Sequence, residues 1–359
     1  MNSHNYSTLS YNITSLTSFT KYFIQCLYVL AGSTCALGNL LVIVVIFRSK
    51  KLHGKIFLLL VSLSLADVFK GVAYILAGAQ RLHLLIGGGM GSAASPFDCM
   101  RLVSTTMFIL GPQAINLMTI FVSFDRFLAI ALPLLYSTLR KRYALIGIGS
   151  CWGLVLTSYV VAWIDSSLLS RVPKFTKWCV AAWSFSPSYN RFMFGFEAVS
   201  TWICFLLLIA TIIAVRHPRS NNAAVVGRPS YYKRQLKVAK MVLISLSFVV
   251  VLWVLPTNIV FAMTLIGRTK TFDMHLAPAL WLMVAFSGCT NVFVYAWLNK
   301  RIRAGIKELV MKCSRTVAYT NIEDRTIPQL TTPPREMQII NPRTTPMSNM
   351  PSSSNYQYS

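Results

Sequence analysis

Acidic residues are scarce: Asp and Glu number 10 among 359 residues, against 34 Lys and Arg, and charged residues of both signs make up only 12% of the chain. A soluble globular chain carries about 25% charged residues, so half the polar coat of a water-exposed surface is missing. No C-x-x-C pair occurs among the 8 cysteines, which argues against a zinc ribbon and a dense disulfide framework. His4, His53, His83, His217 and His275 form no H-x-x-x-H and no acid-paired site, so neither enzyme chemistry, a metal nor a cofactor is expected. Inverted repeats and paired broken helices are also missing, which weighs against the alternative of a transporter or channel.

What the chain has is apolar residues, 55% of the total. A pI near 10 would ordinarily suggest nucleic acid, but so apolar a chain points to a lipid bilayer first, and no nucleic-acid partner is expected. Runs long enough to cross the hydrocarbon, about 20 residues each, occur at Tyr22–Phe47, Ile56–Ala79, Leu102–Leu132, Tyr143–Ile164, Phe192–Val215, Val238–Ile266 and Leu276–Leu298. Each is apolar around its circumference and far longer than a strand. The expected fold is an all-α membrane protein, a seven-transmembrane helix bundle over residues 22–298.

Basic residues set the expected orientation. Twenty-four of the 34, Lys55 among them, fall in the loops joined to the C-terminus and nine, Arg81 among them, in the loops on the other side, with Lys70 inside a span. The basic side faces the cytoplasm, which leaves the N-terminus outside. Residues 1–21 are polar, uncharged except for Lys21, and lack the basic and apolar regions of a cleaved leader, so the first span is expected to act as its own signal. Two sequons, Asn5-Tyr-Ser and Asn12-Ile-Thr, lie in this outer tail as glycan acceptors.

Beyond the last span, residues 299–313 place Ile302, Ile306, Leu309 and Val310 on one helical face and Lys/Arg on the other, as for a short amphipathic cytoplasmic helix on the inner leaflet. Cys313 closes it as an acylation candidate. Residues 314–359 are rich in Ser, Thr, Pro, Asn and Gln and are expected to form a disordered C-terminal tail.

Charges within lipid cost about 2.5–3.5 kcal/mol each even on a mild scale, which makes them functional candidates. They are Asp67, Lys70, Asp125, Arg126 and Glu197. Asp125-Arg126-Phe127 ends the third span and is followed by Pro133-Leu-Leu-Tyr136. Gly38-Asn39, Leu65-Ala66-Asp67, Trp152, Trp253-Val-Leu-Pro256 and Asn291-Val-Phe-Val-Tyr295 follow in order on the other spans, with Ile302-Arg303 after them. This series resembles the rhodopsin-like (class A) G-protein-coupled receptors. Phe127, the P-x-x-Y and the short third cytoplasmic loop are similar to nematode serpentine chemoreceptors of the Srsx type.

The resemblance implies a plasma-membrane receptor that senses an unknown extracellular ligand, chemosensory or neuropeptide, and activates a heterotrimeric G protein by helix rearrangement. It implies roles for Asp125, Arg126 and Tyr295 in coupling, a polar core of Asn39, Asp67 and Asn291, a helix-six hinge at Trp253 and Pro256, and a disulfide between Cys99 and Cys179. Arrestin and kinases would meet the C-terminal tail. Cys99 stands two residues farther from Arg126 than is usual in the family, so the bridge needs a bulge or an unwound first turn. Trp253 precedes Pro256 by three residues where the family has two. On a regular helix that turns the indole by about 100° and puts Val254 in its slot. Val292 replaces the family's Pro.

Lys70, three residues after Asp67, shares its helical face, and its ammonium is expected to replace the family's sodium ion. For the ligand, Phe108, Gln113 and Asn116 on the outer half of span three and Glu197 on span five are the pocket candidates. Glu197 favours a cationic or hydrogen-bonding group, whereas the basic outer loops favour an anion. The two cues conflict.

Overall fold

The computed structural model describes residues 18–49, 52, 54–88, 93–169, 175–179, 181–216, 244, 247–248, 250–266, 276–298, 300, 302–309 and 311. Asn5, Asn12, residues 217–243, Cys313 and the residues from Ser314 onward lie outside these residues. The chain divides into Met1–Val310 and Met311–Ser359, and the architecture below belongs to the first unit.

The spanning helices are α1 (Ser18–Arg48), α2 (Lys55–Ile86), α4 (Val103–Ala131), α6 (Lys141–Leu168), α7 (Pro187–Arg216) and α9 (Ala277–Leu298), with short helices α3 (Pro96–Met100) and α5 (Pro133–Thr138) between them. A π-helical turn at Val250–Val254 leads into α8 (Leu255–Ile266). Six of the described helices are long and apolar enough to cross a membrane, and Val251–Met263 is a shorter apolar one. Further helical residues run over 302–309. β1 (Ala93–Ala94) pairs antiparallel with β2 (Phe175–Thr176), a small departure from the all-helical expectation.

Polarity is inverted relative to a soluble bundle. Leu37 and Phe47 on α1, Leu154 and Ile164 on α6, and Trp202 and Leu206 on α7 are exposed, while Asn39, Ser64, Asp67, Lys70, Thr119 and Ser123 are buried. Lipid gives Leu no reason to hide, so the helices associate through close packing and interior polar contacts. Gly32 and Gly71 show the first: a Cβ at Gly32 would lie 2.6 Å from the Gly71 carbonyl oxygen, so the α1 and α2 backbones meet only because both lack side chains. Leu63, Met118, Val122, Trp253 and Val284 form the central cluster. Val42, Phe57, Leu60, Tyr295 and Ile302 form a second one near the start of α2, into which Ile306 and Leu309 also pack. Ile302 is therefore buried against the bundle, where the sequence suggested a face turned to the leaflet.

Helix ends exceed the hydrophobic runs because polar residues extend the helices past the hydrocarbon. The largest case is α2, which continues from Ala79 to Ile86 and carries Arg81, assigned from sequence to an outer loop. Pro112 lies within α4, where its ring removes one backbone hydrogen bond. The extra residue before Pro256 is taken up by the π turn, which holds one more residue than an α turn. The expected rotation of the indole is thereby corrected: Trp253 is buried in the central cluster, and Val254 packs at its edge.

Candidate functional site

Near the C-terminal end of α4, Asp125 and Arg126 are both buried. Arg126 Nε donates to Asp125 Oδ2 at 3.0 Å, and Nη2 also reaches that oxygen. The same Nη2 donates to the Tyr136 hydroxyl at 2.8 Å, and that hydroxyl donates to Asp125 Oδ2 at 3.3 Å, which closes a three-residue ring. Tyr136 belongs to α5 and is buried, and burial pushes its phenol up to about 12, so it stays a neutral donor and acceptor at any physiological pH. Lys55, at the start of α2, donates to the carbonyls of Tyr136 (3.2 Å) and Leu139 (2.6 Å), and its ammonium sits 4.1 Å from the Tyr136 ring centroid. It thus caps α5 and holds the phenol against Arg126. In the sequence Tyr136 stands out only as the end of the P-x-x-Y, and Lys55 only as one of the basic residues on the cytoplasmic side. Tyr295, expected beside Arg126, stands in the apolar cluster with Val42 and Phe57.

Mid-bundle, the polar residues of α1, α2 and α9 converge. Asn291 Nδ2 donates to Asp67 Oδ2 at 2.7 Å, and Asn39 Nδ2 donates to the carbonyls of Cys35 (2.9 Å) and Gly288 (3.2 Å). Lys70 Nζ lies 3.7 Å from Asp67 Oδ1, donates to Ser287 Oγ at 2.8 Å and sits 4.5 Å from the Trp253 ring centroid. A Cβ on Gly288 would stand 3.0 Å from Lys70 Cε and 3.1 Å from Asp67 Oδ1, so glycine leaves the room this pair occupies. The Lys70 ammonium therefore touches α2, α9 and the turn before α8. The Asp67 pairing was legible from the i, i+3 spacing. Ser287 and Trp253 as partners were not, because they lie on distant segments.

At the opposite end, a disulfide joins Cys99 to Cys179 with Cα atoms 5.3 Å apart. The break at Arg101–Leu102 between α3 and α4, where Leu102 is extended, absorbs the two additional residues. A capping box starts α3: Ser95 Oγ accepts from the Asp98 amide, and Asp98 accepts from Ser95, which holds its carboxyl below the usual range.

Of the pocket candidates, Phe108 meets Tyr74 edge-on with ring centroids 4.9 Å apart, and Gln113 donates to the Tyr189 hydroxyl at 3.4 Å. Asn116 is buried, and its Nδ2 has no hydrogen-bond partner among the described residues. Glu197 is buried on α7 and belongs to neither ion pair found among the described residues, so it pairs with neither Arg191 nor Lys70.

A bundle of apolar spanning helices with a disulfide-tied end, a polar middle and a buried Asp-Arg pair at the other end defines a G-protein-coupled receptor. The family described as serpentine type 7TM GPCR chemoreceptor Srsx matches residues 34–310, and the chain belongs to it. The chain is also similar to rat (Rattus norvegicus) somatostatin receptor type 4, 24% identical over 81% of this chain and 73% of that receptor. Human (Homo sapiens) lysophosphatidic acid receptor 2 is 24% identical over 76% of each chain, and human lysophosphatidic acid receptor 3 is 22% identical over 76% of this chain and 74% of its own. The protein is thus a multi-pass plasma-membrane receptor, not an enzyme, that senses an extracellular ligand and activates a heterotrimeric G protein.

Proposed function

We propose that the disulfide end faces outside, with the N-terminus, and that the Asp125–Arg126 end faces the cytoplasm and receives the G protein. The observation that carries this reading is the closed ring of Asp125, Arg126 and Tyr136, a buried guanidinium whose partners lie on α4 and α5. The cytoplasmic excess of basic residues supports the orientation. In the resting state the ring holds Arg126. Tilting of span six about the π turn opens the bundle end, and Arg126 swings out to meet a helix of the G protein.

Tyr136→Phe removes one hydrogen bond to a charged group, worth about 1.5–3 kcal/mol. Basal G-protein activation is expected to rise at equal surface level, measured as ligand-independent nucleotide exchange. Unchanged basal exchange would remove Tyr136 from the mechanism.

In the polar core the Lys70 ammonium takes the place of a sodium ion. Lys70 faces one oxygen of the Asp67 carboxylate and Asn291 donates to the other, so its charge is already balanced from within. Agonist potency is therefore expected to be the same in sodium and in a large organic cation, and Lys70→Met is expected to introduce a sodium dependence. Strong sodium dependence of the unmutated receptor would contradict this assignment.

The ligand enters between the spans at the disulfide end, over Phe108, Asn116 and Glu197, with Gln113 fixing Tyr189 behind them. Glycans on Asn5 and Asn12, acylation at Cys313, and arrestin and kinase contacts on the C-terminal tail complete the reading.

A further inference from the structure

Arg81 stands in the penultimate turn of α2, half-buried at the disulfide end. Its Nε donates to the Trp178 carbonyl at 3.3 Å and its Nη2 to the Cys179 carbonyl at 3.4 Å, with the guanidinium carbon 5.5 Å from the Trp178 ring centroid. Cys179 holds a left-handed backbone (φ 37°), uncommon for a side chain-bearing residue, and the bridge and Arg81 fix it there. These bonds use two of the five N–H donors of a rigid fork. The remaining donors have no hydrogen-bond partner among the described residues. A guanidinium held this way is suited to a planar carboxylate.

Glu197 is the complementary group. It is buried, it accepts no hydrogen bond from any described residue, and it lies outside both ion pairs. Such a carboxylate requires a donor or a cation. An aromatic wall leads toward Glu197: Tyr28 meets Tyr74 at 5.5 Å between centroids, Tyr74 meets Phe108 at 4.9 Å, and Trp281 joins this cluster to that of Phe194, one turn before Glu197 on α7. The Tyr74 hydroxyl is within electrostatic reach of both Arg81 and Glu197.

We infer that the ligand is a small zwitterion, a short peptide with free termini, whose carboxylate binds Arg81 and whose ammonium binds Glu197 across the aromatic wall. The opposing charge cues of the outer end then describe the two ends of a single molecule. This inference rests on the receptor reading for the meaning of the site.

The test uses the purified full-length receptor and four forms of one tripeptide library: free termini, N-acetylated, C-amidated and doubly blocked. Thermal denaturation midpoints read binding without any G protein, and nucleotide exchange on added heterotrimers reads signalling. Only the free-terminus library is expected to raise the midpoint strongly. Blocking either end is expected to weaken apparent affinity about ten- to a hundredfold, the worth of one charge-assisted hydrogen bond. Arg81→Gln should abolish the difference between free and amidated libraries, and Glu197→Gln the difference between free and acetylated ones. Equal shifts with the doubly blocked library, or no shift with any, would overturn the inference even if Arg126-dependent basal exchange is present. Zwitterion-selective shifts without any effect on exchange would uphold the ligand chemistry and count against the receptor reading alone.

Discussion

Asp67→Asn is expected to remove most of the receptor from the cell surface, and the double variant Asp67→Asn with Lys70→Met to restore it. Lys70 is fully buried, and its ammonium is balanced by one carboxylate, with one hydroxyl and an indole face beside it. Neutralising Asp67 leaves that cation in a medium of low dielectric. Removing one member of a buried pair costs about 3–5 kcal/mol, whereas replacing both by apolar or neutral groups of similar volume is often neutral. Against a total stability of about 5–15 kcal/mol, the single change is severe. Surface immunolabelling and the denaturation midpoint in detergent measure it. Lys70→Met alone should cost less, because the Asp67 carboxyl keeps Asn291 as donor and can take up a proton. If Asp67→Asn reached the surface and melted like the unmutated receptor, the pair would not be the electrostatic centre of the fold.

The second large effect concerns Arg126. Arg126→Ala is expected to reduce agonist-evoked nucleotide exchange to background while surface delivery persists. Loss of the guanidinium leaves Asp125 with the Tyr136 hydroxyl as donor, and Lys55 still fastens α5. The bundle end keeps these ties and loses the group proposed to meet the G protein. Comparable exchange by the variant at matched surface level would assign that contact to other residues.

Much of the fold was legible because lipid imposes a strong rule: long uniform apolar runs must be helices, and the few charges within them must converge. The i, i+3 spacing of Asp67 and Lys70 announced their pairing in the same way. What stayed hidden depended on geometry off the regular helix or on distant segments. Trp253 was expected to be turned by about 100° on a regular α-helix, and one π turn keeps it in the central cluster. Arg81 followed the end of an apolar run and was assigned to a loop, because hydropathy marks where lipid ends and not where the helix ends. Tyr136 and Lys55 meet across 81 residues, a distance at which no local pattern reports a contact.

The central claim is that an outside ligand drives helix movement that exposes Arg126 to a heterotrimeric G protein. Its most direct test is GDP release from purified heterotrimers added to the receptor in lipid nanodiscs, with and without an activating ligand, for the unmutated receptor and for Arg126→Ala. Ligand-accelerated release by the first and background release by the second is the predicted result. A ligand that evokes ionic current or transport in cells with every Gα subunit blocked, and leaves GDP release unchanged in the nanodiscs, would contradict the account.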